Sequence, residues 1–300
     1  MPPAHPHHRL MPFFAVAAGI ASFSVMDGLM KSASLAVGAY NAMLWRSLAS
    51  ALVMLPLWKF SGGEWPRGRV LRLHAVRGLN SALMATAFFW GLKFLPLAEG
   101  MAISFIAPLI ALYLAAVLLG ERVGKRAVFA SLLGLTGVVV IAGARMRGDG
   151  YSHDAALGIA AILASAVLYA WNLILQRQQA QLARPREVAA FQAVFTGLFL
   201  GLIAPWLAQI PASGVWLNIG GAAVLATISL MLISWGYGRA ETQVLLPLEY
   251  SAFIWAAITG WLMFHEALTL PTIAGAALIV IGCWIATRPE QRTHIEQTAL

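Results

Sequence analysis

The chain has 300 residues, of which 60% are apolar and only 11% charged; a soluble domain carries roughly 25% charged residues, so a water-soluble enzyme or binding module is excluded. The net charge of +8 raises nucleic acid as a partner, and the distribution of the cations, worked out below from the loops, removes it. The one cysteine, Cys283, sits in an apolar run, which excludes an intrachain disulfide.

Apolar runs of about 20 residues are needed to cross roughly 30 Å of hydrocarbon. They fall at 10–31, 39–58, 73–94, 97–119, 126–144, 155–177, 187–208, 215–236, 243–264 and 270–287. The fold class read from them is an all-α membrane protein with ten transmembrane helices. The leading "MPPAHPHHRL" precedes an apolar run too long for a signal peptide, so the first span reads as an uncleaved helix. His5, His7 and His8 in that tail have no carboxylate or thiol beside them and read as solvated rather than as metal ligands.

Ionisable groups inside spans are functional candidates, because charge is costly in hydrocarbon. In the first span Asp27 and Lys31 stand four residues apart, with Ser24 on the same face. Arg46 lies about eight residues, roughly 12 Å, into the second span, deep for a snorkelling side chain. Asp27 therefore has two candidate partners, Lys31 and Arg46, and Arg46 has a second candidate role in attracting a substrate carboxylate. Asn80, Met84, Phe88 and Gly91 share a face of the third span, and Pro108 marks a bending point in the fourth.

The sixth span reads "SAVLYAWNLILQ", which sets Ser165, Tyr169, Asn172 and Gln176 on one face. Such a stripe would be expensive against lipid, so it points to a cavity or a helix partner, with the cavity preferred. Gly197 and Gly201 in the seventh span have the spacing of a helix-packing motif. Trp235 and Tyr237 close the eighth span. In the ninth, Pro247 weakens the helix just before Glu249 and Tyr250. Glu249 is the sharpest candidate for meeting an amino group or taking up a proton. Aromatic, Met and amide groups around a wet cavity suit amino acids with bulky apolar side chains.

Assigning loops alternately to two sides gives one side Arg9, Lys59, Arg67, Arg69, Arg72, Arg77, Arg122, Lys125, Arg126, Arg177, Arg184, Arg186, Arg239, Arg288 and Arg292. The other side has Lys31, Lys93, Arg145 and Arg147. The bias puts both termini in the cytoplasm and explains the basic balance by topology, without nucleic acid.

The chain also repeats itself. Setting Trp90-Gly91 on Trp235-Gly236 brings Ala107 onto Ala252, Ala111 onto Ala256, Glu121 onto Glu266, Leu133 onto Leu278 and Gly137 onto Gly282. "AAGIAS" at 17–22 matches "AAILAS" at 160–165 more loosely. Two copies, residues 1–146 and 147–300, would hold five spans each, and an odd number of crossings inverts the second copy. In each copy the terminal acid, Glu121 or Glu266, is expected to cap the helix that follows it.

"FIAPLIALYLAAVLLGERVGKRAVFASLLGLTGVVVIAG" and "LLPLEYSAFIWAAITGWLMFHEALTLPTIAGAALIVIGCW" resemble the paired signatures of the drug/metabolite transporter superfamily, in its EamA-like ten-helix branch. "LLPLEYSAFIWA" and "WRSL" are most similar to bacterial amino acid exporters of the YddG type. The resemblance covers the whole chain. It implies export of amino acids and related metabolites across the inner membrane, through a central cavity lined mainly by the first, third, fourth, sixth, eighth and ninth helices. His265 departs from the pattern, standing where the first copy has Gly120.

No HExxH pair, intramembrane DxxxD cluster, G-x-S-x-G or Walker loop is present, so the expectation is a transporter without catalytic residues, metal or cofactor, driven by a gradient. Its partners are a small-molecule substrate, amino acids first, and membrane lipid. Other metabolites or drugs remain alternative cargoes, and an intramembrane enzyme is the rival class.

Overall fold

The computed structural model of the protein describes residues 7–119, 125–147, 153–237, 239, 245 and 248–287. The helices are α1 (His7–Val37), α2 (Ala39–Phe60), α3 (Gly68–Gly91), α4 (Leu97–Ser104), α5 (Ala107–Leu119), α6 (Lys125–Arg147), α7 (His153–Ala180), α8 (Pro185–Leu202), the single turn α9 (Ala204–Leu207), α10 (Ser213–Tyr237), α11 (Ala252–Phe264) and α12 (Leu270–Thr287). All regular structure among the described residues is helical. Five stretches are long and apolar enough to cross a membrane: Met11–Val37, Leu97–Leu114, Val128–Met146, His153–Gln179 and Ser213–Tyr237. Leu52, Val117, Leu217 and Leu270 point outward, largely exposed to whatever surrounds the bundle, as side chains in contact with lipid tails would be.

Local chemistry sets the breaks. Gly38 takes φ 81° between α1 and α2, a conformation that costs glycine nothing. The run predicted as one fourth helix is two, α4 and α5, parted at Phe105 and Ile106. Pro108 has no N–H to offer the Ser104 carbonyl, which leaves the helical ladder open there. The Ser104 hydroxyl donates back to the Gly100 carbonyl at 2.9 Å. The expected break at Pro247 lies outside the described residues, as does Glu121; α11 is described from Ala252 onward.

The packing pairs α1 with α10, α3 with α7, α2 with α8 and α6 with α12; α11 lies on α1 and α4, and α7 touches both α4 and α5. This pattern keeps its form when the helices of one half are exchanged for those of the other. Two glycine crossings show the same relation at the level of residues. A Cβ on Gly275 would meet the Gly137 carbonyl at 2.6 Å, and one on Gly282 would meet the Ala130 carbonyl at 2.7 Å. The repeat alignment carries the first contact onto the second. The duplicated Trp-Gly dipeptide has the same explanation: Gly91 backs onto Gly158 of α7, and Gly236 backs onto Pro12 and Val16 of α1. Of the expected packing pair, Gly197 lies against Leu48 of α2, whereas Gly201 has open space around it.

Several cations assigned to loops lie in helices, and three of them are taken up by the polar clusters inside the bundle. Arg77 and Lys31 are buried within α3 and α1, and Arg145, near the end of α6, pairs with Glu99 of α4.

Candidate functional site

The polar side chains gather at opposite ends of the bundle. At the end where α1 and α3 finish, α4 starts without a side-chain cap from its own N-cap residue, Pro96. Glu266, from the turn between α11 and α12, supplies one from across the structure: its Oε2 accepts the Leu97 N–H at 2.7 Å. This satisfies an orphan helix donor and puts a carboxylate at the positive end of a helix. The other oxygen, Oε1, pairs with Lys31 Nζ, which also donates to the Leu95 carbonyl at 2.7 Å.

Glu266 therefore caps α4 rather than the helix that follows it. Thr269 performs that second task, its hydroxyl accepting the Thr272 N–H at 3.3 Å. A short hydroxyl at the N-cap position reaches that donor directly, and the longer Glu266 side chain is released to reach Lys31. His265 ends α11 with φ 54°, left-handed backbone that Gly adopts without strain. Beside this cluster Glu99 accepts a hydrogen bond from the Thr272 hydroxyl at 3.2 Å and pairs with Arg145 Nε at 3.2 Å.

Lys31 is thus committed to Glu266, and its expected local pairing with Asp27 is not formed. Asp27 is buried, and its electrostatic partner is Arg46. The two make no ion pair within 4.0 Å: Arg46 reaches the Met26 sulfur at 3.8 Å, and its Nε is buried without a hydrogen bond.

At the opposite end, the first turns of α3 meet the last turns of α7. The buried Arg77 donates from Nε to Asn172 Oδ1 at 3.1 Å, from Nη2 to Gln176 Oε1 at 3.2 Å and from Nη1 to Gln179 Oε1. Because the Gln179 oxygen is an acceptor here, its amide nitrogen donates to His74 Nδ1 at 2.8 Å. His74 must then carry its proton on Nε2, which faces Glu187 Oε1 at 3.1 Å. Phe191 stacks on the imidazole with ring centroids 5.1 Å apart, fixing its plane. The result is a directed chain from a guanidinium through an amide and an imidazole to a carboxylate.

The polar stripe of the sixth span is divided by these contacts. Ser165 donates to the Met84 carbonyl at 2.8 Å, and Asn80 returns a bond to the Leu168 carbonyl at 3.0 Å, so both bind α3 to α7. Asn172 and Gln176 hold Arg77. Tyr169 is left 40% exposed, in electrostatic reach of Arg77 and of Glu249. Glu249 is exposed and accepts a hydrogen bond from the Tyr237 hydroxyl at 2.6 Å. Trp235 is partly exposed nearby in sequence and carries the Arg239 guanidinium over its ring at 4.4 Å. Tyr250 meets Phe105, at the α4–α5 break, edge to face at 5.7 Å; Phe88 packs on Phe89. Among the described residues no three His, Cys, Asp or Glu side chains converge as metal ligands would.

Sequence reasoning missed Arg77, Glu99, His74 and Gln179 as intramembrane polar partners, and assigned Lys31 to Asp27 rather than to Glu266. The available signal was the run of amides at Asn172, Gln176 and Gln179 facing one way, which implies a charged donor opposite.

The profile of the EamA-like transporter family matches the chain twice, over residues 10–143 and 156–288. The chain is 29% identical to the pseudopaline exporter CntI of Pseudomonas aeruginosa over 277 residues, 90% of this chain and 93% of that one. It is 27% identical to the aromatic amino acid exporter YddG of Ancylobacter novellus over 208 residues, 67% and 70% of the two chains. A riboflavin transporter of Vibrio cholerae is 24% identical over 95% of this chain and 96% of its own. A solved crystal structure superposes with TM-score 0.63 at 24% identity, covering 92% of this chain and 95% of that one, a likeness of fold.

Proposed function

Because the chain belongs to the EamA-like transporter family, a family of multi-pass membrane transporters rather than enzymes, we propose that it exports amino acids, aromatic and other apolar ones favoured, by alternating access through a central cavity. The observation that carries the reading is the exposed Glu249 carboxylate held by Tyr237, with Tyr169 and Tyr250 in electrostatic reach. An anion with aromatic walls suits an ammonium group attached to a bulky apolar side chain.

The proposed architecture is ten spans in two inverted five-helix copies, residues 1–146 and 147–300, in a bacterial inner membrane with both termini cytoplasmic. The double family match and the exchange symmetry of the helix contacts support the duplication, and the loop cations support the orientation. Pro108 and Pro247 are the proposed bending points of the two halves. In this scheme Lys31 and Glu266 fasten the external end. Small cytoplasmic-side openings and closings around Glu249 then alternate with release of that fastening.

A second reading, export of pseudopaline or a compound chemically like it, is favoured by the higher identity over a larger share of the chain to the Pseudomonas exporter. Counterflow into proteoliposomes separates the two. Saturable exchange of labelled phenylalanine, tryptophan and leucine supports the amino acid reading. Exchange of pseudopaline alone supports the second, and exchange of neither sends the substrate search elsewhere.

A further inference from the structure

Arg77 differs both from the ion-paired groups and from Asp27 and Arg46, which act on each other electrostatically without an ion pair within 4.0 Å. Lys31, Glu99 and Glu266 each have an ionic partner within 4.0 Å, but among the described residues the three hydrogen-bond acceptors of the Arg77 guanidinium are all neutral side-chain amides. Amide oxygens satisfy donors without cancelling charge. The nearest acid along the hydrogen-bond chain, Glu187, stands behind both Gln179 and His74. The Arg77 charge is therefore not neutralised by its direct hydrogen-bond acceptors, and an anion visiting its neighbourhood is favoured.

Tyr169 lies one helical turn from Asn172, about 4.5 Å along the axis, and thus beside this charge. Its side chain is 40% exposed, and its hydroxyl is within electrostatic reach of both Arg77 and Glu249. Glu249 is held by Tyr237, which itself neighbours Tyr169. Cation, phenol and carboxylate are thus contributed by α3, α7 and the segment that precedes α11.

We infer that Arg77 and Glu249, with Tyr169 between them, form a bipolar recognition site for the zwitterionic head of an α-amino acid. The substrate carboxylate accepts from the Tyr169 hydroxyl in the field of Arg77, and its ammonium group donates to Glu249. Arg77 is kept positive and oriented by its three amides, which leave room for a charge that arrives with the substrate. The site rests on the amino acid reading of the function and narrows it: both charged groups are required at once. An amine lacking the carboxylate leaves Arg77 unmatched, and an N-acylated amino acid leaves Glu249 unmatched. Sites built to pair a polar group reject analogues that lack it far more strongly than apolar pockets reject a missing methylene.

The test is competition against labelled phenylalanine counterflow in proteoliposomes, using unlabelled phenylalanine, phenethylamine and N-acetylphenylalanine. The wild type is expected to discriminate against both analogues by at least about 10-fold. Glu249→Gln is expected to bring N-acetylphenylalanine to within about 3-fold of phenylalanine while the amine stays excluded. Tyr169→Phe, which keeps the ring and spares the buried Arg77 network, is expected to relax discrimination against the amine instead. Equal competition by either analogue in the wild type, or unchanged discrimination in Glu249→Gln, overturns the bipolar site while amino acid transport stands. Absence of any amino acid flux by the folded wild type overturns the transport reading, and the site falls with it.

Discussion

Lys31 and Glu266 are 235 positions apart and form a largely buried ion pair, Lys31 buried and Glu266 half-buried, that joins α1 to the turn between α11 and α12. The pair is tied further, by Lys31 to the Leu95 carbonyl and by Glu266 to the Leu97 N–H, so three separate segments meet on two side chains. Deleting one member of a buried pair strands the other and costs about 3–5 kcal/mol. Lys31→Met is therefore expected to lower the stability of the detergent-solubilised protein by that order. Glu266→Gln still offers an oxygen to Leu97 and is expected to cost less than Lys31→Met. In the double variant the two losses should fall short of their sum by more than about 1 kcal/mol, the mark of direct coupling. Thermal unfolding of the four proteins measures this, and strict additivity would deny the coupling.

The same pair makes a functional prediction if it fastens the external end. Cysteine at Tyr169, introduced into a background in which Cys283 is replaced by Ala, should react with an impermeant thiol reagent from outside at least several-fold faster when Lys31→Met is also present. Equal labelling rates would remove the fastening role and leave the pair as structure alone.

Buried amides around Arg77 set a different kind of dependence. Gln179 serves two partners, accepting from Arg77 and donating to His74. Gln179→Leu leaves both without their bonds, and each unsatisfied buried group costs about 1–3 kcal/mol. A loss of about 2 kcal/mol or more is expected in thermal unfolding, with Gln179→Glu behaving differently because its carboxylate adds an ion pair to Arg77 while losing the donor to His74.

These contacts explain what could be read from the residues and what could not. The Trp-Gly and Gly137/Gly282 repeats were legible because close backbone crossings admit only the smallest residue, and that constraint is written at single positions. The sixth-span stripe was legible as a face, since i, i+4 and i+7 fix a direction on a helix. What faces it was not legible, and Ser165 and Asn172 turned out to meet α3 rather than open space. Arg77 was read as a loop charge, and Lys31 as a span-end charge beside Asp27, because both lie near span ends, where snorkelling is the ordinary behaviour. Their partners come from distant segments, and spacing along one helix carries no information about those. Glu266 was recognised as a cap, but only the packing of α11 on α4 brings Leu97 within its reach.

The glycines give the most direct contrast for a last test. A side chain on Gly282 would drive into the Ala130 carbonyl at 2.7 Å, backbone that cannot rotate away. Gly282→Val must push α12 off α6, and overpacking of this kind costs about 1–3 kcal/mol or more. Gly201 lies in α8 with no neighbouring atom within 4 Å of where a methyl group would stand. Gly201→Ala therefore meets no obstacle and removes the flexibility of a helical glycine, worth about 0.4–1 kcal/mol of added stability. Melting temperatures measured side by side should move in opposite directions. A fall for both would mean that the open face of α8 is covered by another molecule in the detergent-solubilised protein, and cross-linking through Gly201→Cys would identify a second copy of the chain there.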